Sequence, residues 1–206
     1  MADRAAVLAA LCIVLVVAAA GCGGGNHGIL PSTVTSQPAL RGLVPTPLPV
    51  KPGLVLRGPG GRRFDLAART KGKLTYLYFG YTHCPDVCPL TMAYLAAALR
   101  RVPPSVRRSA EVVFVTVDPR RDTPAVLQRW LSRFGSSFVG LTGTPAQIAA
   151  AERAAGIPPA PAGGADSFAH SSLVFAYSPD GYSHVVYSQG FTPADYAHDM
   201  PQLVRL

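Results

Sequence analysis

Two cysteines four positions apart, Cys84 and Cys88, are the residues of this chain best suited to chemistry. They follow an apolar run, Lys73–Phe79, that predicts a buried strand, and they precede Leu90–Arg101, which predicts a helix. A thiol at a helix N-terminus has a lowered pKa, because the helix dipole and the unpaired amides favour the thiolate. Residues i and i+4 share one helix face, roughly 5–6 Å apart at Cβ. The pair could therefore hold one soft metal ion or, after a small adjustment, close a disulfide.

A metal site needs at least one more ligand than these two thiolates. Two thiolates select soft ions such as Cu(I), and an imidazole extends the range to Cu(II) and Zn. His83 is disfavoured, because adjacent side chains seldom point at one ion. Met92 shares a helix face with Cys88 but is expected to pack in the core. His184 and His198 are expected on the surface.

His170 has the most suggestive position among the remaining candidates. It follows a loop rich in Pro and Gly, 156–164, and it precedes a predicted strand, Leu173–Ser178. A loop before an edge hairpin could fold over the dithiol. Spacing alone leaves His170 as one candidate among several.

An alternation of strands and helices must position the dithiol. Glu111–Val117 predicts a second buried strand, which a helix joins to Lys73–Phe79, so the two strands are expected to be parallel. Pro179-Asp180-Gly181 predicts a turn between two late strands. The pattern predicts an α/β fold, a thioredoxin-like sandwich with a central mixed sheet flanked by helices and an N-terminal hairpin. The other predicted elements are the strands Leu54–Leu56, Arg63–Leu66, Phe138–Thr142, Leu173–Ser178 and Ser183–Ser188, and the helices Pro124–Phe134, Pro145–Ala155 and Thr192–Leu206.

The N-terminus predicts export and a membrane anchor. Ala5–Ala20 is an apolar run of 16 residues, short for a membrane span of roughly 20 residues but suited to the core of a signal peptide. Ala19-Ala20-Gly21-Cys22 resembles the lipobox of bacterial lipoproteins, which implies cleavage before Cys22 and a lipid on its sulfur. We expect a signal peptide over 1–21, a flexible tether over 22–52 and a folded domain over 53–206. An uncleaved anchor helix is the alternative, and either anchor places the domain on the extracytoplasmic side of the cell membrane.

The charge balance is strongly basic, with a formal net charge of +8. The basic residues occur as scattered pairs without interleaved aromatic residues, so nucleic-acid binding is not expected. A positive surface could instead favour anionic lipid headgroups or an acidic partner. Cys84 and Cys88 are the only cysteines after Cys22, which excludes a multi-disulfide framework.

Three segments together resemble the Sco (SenC) family of copper chaperones. They are Tyr78–Pro89, Val117–Pro124, and His170-Ser171-Ser172 followed by an apolar strand and Asp180-Gly181. The resemblance extends over about Pro52–Leu206. It implies a thioredoxin-like fold that holds one copper ion, as Cu(I) or Cu(II), through Cys84, Cys88 and His170. It also implies delivery of that copper to the dicopper centre of cytochrome c oxidase subunit II or to another cuproprotein.

Two other hypotheses remain beside this one, and in all of them we expect a monomer. The chain could be a thiol–disulfide oxidoreductase with Cys84 and Cys88 as its redox-active pair, or an inert adaptor with a structural disulfide. The Cys-x₃-Cys spacing argues against a general thioredoxin, as does the position of the only tryptophan, Trp130. The copper-chaperone hypothesis assigns no catalytic residue. Asp118 and Asp122, in the second motif, are interpreted as helix caps rather than ligands.

Overall fold

A computed structural model describes residues 39–159 and 172–206. The predicted signal peptide, Cys22, the tether up to residue 38 and the candidate ligand His170 lie outside the described residues. Within the described ranges, no helix is long and apolar enough to cross a membrane.

The predicted N-terminal hairpin is present. Its strands β1 (Val55–Arg57) and β2 (Arg63–Asp65) pair antiparallel. The turn between them contains Gly60 and Gly61 at φ values of 65° and 73°, a conformation that glycine adopts without steric cost. The hairpin joins the main sheet where the Arg57 amide donates to the Thr142 carbonyl at 2.8 Å.

The main sheet has five strands in the order β5-β4-β3-β6-β7. In chain order they are β3 (Leu74–Gly80), β4 (Ala110–Thr116), β5 (Phe138–Leu141), β6 (Val174–Tyr177) and β7 (Ser183–Tyr187). The strands β3, β4 and β5 are parallel, whereas β6 runs antiparallel to β3 and β7 antiparallel to β6. The predicted mixed sheet is therefore confirmed, with its antiparallel hairpin at one edge.

The sheet separates two hydrophobic clusters. Side chains alternate across a strand, so Tyr76 and Tyr78 of β3 face one cluster while Leu77 and Phe79 face the other. All seven residues of β3 are buried. This explains why the strand is continuously apolar rather than alternating, since a central strand is covered on both faces.

The described parts of the chain contain six α-helices. They are α1 (Leu66–Arg69), α2 (Val87–Arg101), α3 (Pro104–Arg108), α4 (Pro124–Leu131), α5 (Pro145–Ala154) and α6 (Pro193–Leu203). Thr123 directly before Pro124 is a sequence signal for a helix cap, and the structure confirms it, because the Thr123 side chain accepts a hydrogen bond from the Val126 amide. The helix α2 begins at Val87, three residues before the predicted start, so Cys88 lies inside its first turn.

Residues 39–51, which we call the N-terminal strap, pack against the domain. Leu43 and Val186 exchange backbone hydrogen bonds of 3.0 and 2.8 Å, and the Ser183 amide donates to the Pro49 carbonyl at 2.8 Å. The strap thus satisfies backbone groups of β7, which would otherwise be an open edge strand. The sequence predicts a tether that extends to residue 52, but the folded unit begins near Pro38.

Candidate metal centre

The dithiol lies at the carboxyl end of β3, where it passes through a short loop into α2. Cys84 is 8% exposed and Cys88 is fully buried, and neither is in a disulfide. Gly80, the last residue of β3, makes room for this arrangement. A Cβ atom there would come within 2.8 Å of the Cys88 sulfur and 2.7 Å of the Tyr78 ring, both too close for van der Waals contact.

The helix start stabilises a thiolate at Cys84. Burial by itself raises the pKa of this thiol, but backbone amides of Cys88, Asp86 and Val87 donate to the sulfur and lower the pKa below its ordinary value. The Cys88 amide lies 3.4 Å from the Cys84 sulfur. The unpaired amides of the first helical turn therefore act on Cys84, as the sequence predicts.

Cys88 has the opposite character. Burial raises the pKa of its thiol to about 12. The Tyr78 hydroxyl donates to its sulfur at 3.5 Å and offsets part of that effect. Of the two thiols, Cys84 is accordingly the stronger nucleophile at neutral pH, and Cys88 stays protonated until a metal or an oxidant displaces its proton.

Asp122 holds the loop that leads into the dithiol. This fully buried residue accepts hydrogen bonds from the Thr82 amide at 2.9 Å and the Thr82 hydroxyl at 2.5 Å. It also accepts one from the Thr116 hydroxyl at 2.6 Å. The interpretation of Asp122 as a helix cap is therefore wrong: the cap of α4 is Thr123, and Asp122 links the end of β4 to the residues before Cys84.

The other acidic residue of this motif makes local contacts. The Asp118 carboxylate accepts a hydrogen bond from the Arg121 side chain, and its carbonyl accepts the amides of Arg121 and Asp122. Asp118 thus stabilises the turn between β4 and α4, and its contacts indicate a structural role.

The other histidines and the methionine that the sequence analysis disfavours as ligands have the following surroundings. His83 is exposed, with its Nδ1 atom 3.1 Å from the Thr82 hydroxyl. Met92 is fully buried in the core. His184 and His198 are half-buried beside carboxylates, at 2.7 Å from Asp180 and 2.9 Å from Asp199.

Among residues 39–159 and 172–206, no group of three or more His, Cys, Asp or Glu side chains is placed to hold a metal. The two sulfurs thus supply a soft, incomplete ligand set. The sequence-predicted third ligand, His170, lies beyond these ranges.

Sequence reasoning missed the roles of Tyr78 and Tyr81 near the sulfurs. Tyr78 donates to Cys88. Burial raises the pKa of the Tyr81 hydroxyl, and the neighbouring Cys84 and Cys88 raise it further, so it remains a neutral hydrogen-bond donor beside the dithiol. Both tyrosines precede Cys84 in the segment 78–89, but their spacing in the sequence does not show that their side chains lie near the sulfurs.

The chain is similar to a protein family and to proteins whose names mention copper or SCO1. The SCO1/SenC family model matches residues 61–205. A protein of Stutzerimonas stutzeri with "copper-binding protein" in its name is 38% identical over 114 residues, which cover 54% of this chain and 56% of that protein. The "Protein SCO1 homolog 1, mitochondrial" of Arabidopsis thaliana is 42% identical over 82 residues, 40% of this chain and 25% of that protein. The chain thus spans about half or less of the length of these relatives.

A solved structure matches over most of the described fold. It is the structure of Bradyrhizobium japonicum ScoI with copper bound. The two sequences are 31% identical, the TM-score is 0.63, and the match covers 75% of this chain and 98% of the other. The match confirms the thioredoxin-like sandwich predicted from the order of strands and helices.

Proposed function

Because the chain belongs to the SCO1/SenC family, we propose that it is a copper chaperone that binds one copper ion through Cys84, Cys88 and His170. The observation that carries this proposal is the reduced, buried dithiol at the carboxyl end of the central strand, in a family with a copper-bound member of the same fold. Two thiolates and an imidazole suit both Cu(I) and Cu(II).

Chain connectivity supports His170 as the third ligand. Val174, the first residue of β6, pairs with Tyr78 near the carboxyl end of β3, so the chain enters β6 at the same end of the sheet as the dithiol. His170 precedes the described residue Ser172 by two positions, which limits their Cα separation to about 7 Å. This short link to the dithiol end of the sheet supports the proposal that the imidazole of His170 completes the site.

Three ligands suit transfer better than storage. A site with two sulfurs and one imidazole leaves a side of the ion open. A donor atom of the acceptor can then bind before a ligand of the chaperone leaves. The acceptor we propose, from the family resemblance, is the dicopper centre of cytochrome c oxidase subunit II.

We propose that delivery takes place at a membrane surface, with a lipid on Cys22 as the anchor and the domain outside the cytoplasm. Replacing Cys22 by Ser tests this anchor. The wild-type chain should incorporate labelled fatty acid and remain in the membrane fraction, whereas C22S should incorporate none. Incorporation into C22S would refute the modification of this sulfur.

The copper site is tested by Cu(I) titration of the reduced protein against a competing chelator. His170→Ala should weaken Cu(I) binding by more than the roughly 10–100-fold that loss of an outer-shell partner costs. His184→Ala is the matched control, since that histidine already pairs with Asp180, and it should leave the affinity unchanged. Equal affinities in both variants would remove His170 from the site, and copper binding that survives Cys84→Ala would refute the dithiol site itself.

The second candidate function is thiol–disulfide exchange, and the difference between the two thiols favours it. A lowered pKa at Cys84 and a raised pKa at Cys88 suit an attacking thiolate and a resolving thiol. His170→Ala separates the two functions. If exchange is the main role, this variant should reduce a model disulfide at the wild-type rate and support oxidase assembly in cells, whereas the copper proposal predicts lost assembly.

A further inference from the structure

A group of exposed basic side chains occupies the end of the sheet opposite the dithiol. These residues come from the end of α1, the turn before β3, the end of α2 and the end of α3. They are Arg69, Lys71, Arg100, Arg101, Arg107 and Arg108, all exposed. We call this group the basic pole.

The topology explains why residues so distant in sequence meet there. The parallel strands β3 and β4 begin side by side, with Leu74 opposite Ala110 and the Leu74 amide donating to the Ser109 carbonyl at 2.9 Å. The helix α2 returns from the carboxyl end of β3 to this amino end, and α3 leads directly into β4. The amino ends of the strands and the last turns of these helices therefore share one surface.

Nearby acidic side chains do not neutralise the basic pole. None of its six residues forms an ion pair with another residue of the described ranges. Glu111, at the start of β4, pairs with Lys73 at 3.0 Å, and Asp180, in the β6–β7 turn, pairs with His184 at 2.7 Å. By contrast, Asp86, Asp118 and Asp122 lie at the dithiol end of the sheet, so the molecule has a charged pole and an opposite reactive end.

We propose that the basic pole binds an anionic lipid surface. Charge complementarity favours this partner, because each Arg or Lys near an anionic leaflet strengthens membrane association roughly five-fold. The predicted anchor is compatible with it, although the strap runs from Leu43 opposite Val186 to Val50 opposite Tyr182, so its start lies farther from the pole than its end. Cys22 lies 17 residues before Ala39, so a lipid on Cys22 keeps the domain within about 60 Å of the bilayer. The proposal does not depend on copper binding.

Docking by the basic pole would orient the reactive end. The seven residues of β3 separate the pole from the dithiol by roughly 23 Å along the strand. A domain seated on its basic pole therefore presents Cys84 and the open side of the site away from the lipid. An acceptor domain that projects from the same membrane can approach the site from that side.

Residue-specific arginine modification tests the proposal on the full chain. The protein is mixed with vesicles of phosphatidylcholine alone or with added phosphatidylglycerol, treated briefly with phenylglyoxal and analysed by mass spectrometry. We expect the pole arginines to react several-fold more slowly on the anionic vesicles, and 0.5 M NaCl to abolish the difference. Arg57 and Arg62 are internal controls, because they are exposed and lie on the hairpin that joins the sheet at its other end.

A matched pair of variants completes the test. Arg107→Gln with Arg108→Gln should restore most of the reactivity of Arg100 and Arg101 on anionic vesicles. Arg57→Gln with Arg62→Gln removes the same charge and should leave their protection intact. Pole arginines that react equally on both vesicles, or that anionic vesicles slow no more than they slow the hairpin arginines, would overturn the proposal and favour an acidic protein as the partner. Flotation with vesicles of phosphatidylcholine alone reports the Cys22 anchor separately, since the pole is not expected to bind a neutral surface.

Discussion

Cys84 and Cys88 occupy one helical turn but differ in acid–base character, and this difference can be measured in the reduced, metal-free protein. A lowered pKa at Cys84 means that its thiolate, which attacks iodoacetamide, forms at lower pH than in an ordinary cysteine. A pKa raised to about 12 at Cys88 means that its thiolate is scarce below that pH. With Cys88→Ser, alkylation of Cys84 should reach half its maximal rate at a lower pH than alkylation of a cysteine in a short unstructured peptide measured alongside. With Cys84→Ser, Cys88 should remain nearly unreactive up to pH 10.

One result would contradict the predicted difference between the two thiols. If both single-cysteine variants react with the same pH midpoint, the amides of the first turn of α2 do not distinguish the sulfurs. The candidate roles of attacking and resolving thiol would then have no basis.

Gly80 shows how a residue without a side chain shapes the site. A Cβ atom at this position would lie 2.8 Å from the Cys88 sulfur and 3.1 Å from the Phe114 ring, so Gly80→Ala must displace packed core atoms. We expect the free energy of unfolding in urea to fall by about 1–3 kcal/mol, the usual cost of overpacking. Gly53→Ala is the control, because no atom lies within 4 Å of its added Cβ. Equal stability of the two variants would mean that the space beside Cys88 is not limiting.

At the scale of elements, Asp122 couples the loop after β4 to the loop after β3. Asp122→Asn keeps the shape but replaces one acceptor oxygen by a donor, which then faces the donors from Thr82 and Thr116. We expect amide exchange at Thr82 to accelerate at least about five-fold, from the roughly 1–3 kcal/mol cost of an unsatisfied buried group. Asp118→Asn is the neighbouring control, since Asp118 contacts Arg121 rather than Thr82. Faster exchange in both variants would indicate general loosening of the motif instead.

The sequence predicted the elements whose signals are local. Continuous apolar runs identified β3 and β4, and a Thr followed by Pro identified the starts of α4 and α6 at Thr123 and Thr192. The sequence predicts that α2 begins at Leu90, after Pro89, whereas the helix begins three residues earlier, at Val87. Proline is tolerated in the first turn, where its missing N–H has no helical partner. The helices α1 and α3, of four and five residues, are too short to show a periodic pattern.

The parts of the candidate site that depend on spacing along the chain could be predicted from the sequence. The parts that depend on tertiary packing could not. Cys84 and Cys88 follow from their separation of four and from the strand before them. The contacts of Asp122 with Thr82, 40 positions away in the chain, depend on the register of β3 against β4. No periodicity in the sequence contains that information. His170 remains a prediction from the family resemblance.

At the scale of the whole molecule, the strap links the start of the folded unit to its end. Asp199 of α6 is fully buried, and it accepts hydrogen bonds from the backbone amides of Arg41 at 2.9 Å and Gly42 at 3.0 Å. The Tyr187 hydroxyl donates to the same carboxylate at 2.9 Å. A Pro- and Gly-rich composition predicts a linker, whereas this distant carboxylate and the backbone hydrogen bonds to β7 hold the strap on the domain. The tether therefore leaves the domain beside α6 and β7 rather than at the predicted boundary.

Asp199→Asn should release the strap while the rest of the domain stays folded. The substituted amide turns a donor toward the amides of Arg41 and Gly42, and the cost of about 1–3 kcal/mol corresponds to a five-fold or greater increase in the open population. We expect brief native digestion with trypsin to cleave after Arg41 at least five-fold faster, with cleavage after Arg57 as the internal reference. Asp180→Asn should leave both rates unchanged, because Asp180 pairs with His184 in the β6–β7 turn. If cleavage after Arg57 accelerates equally, the variant unfolds globally, and Asp199 then stabilises the whole fold rather than attaching the tether.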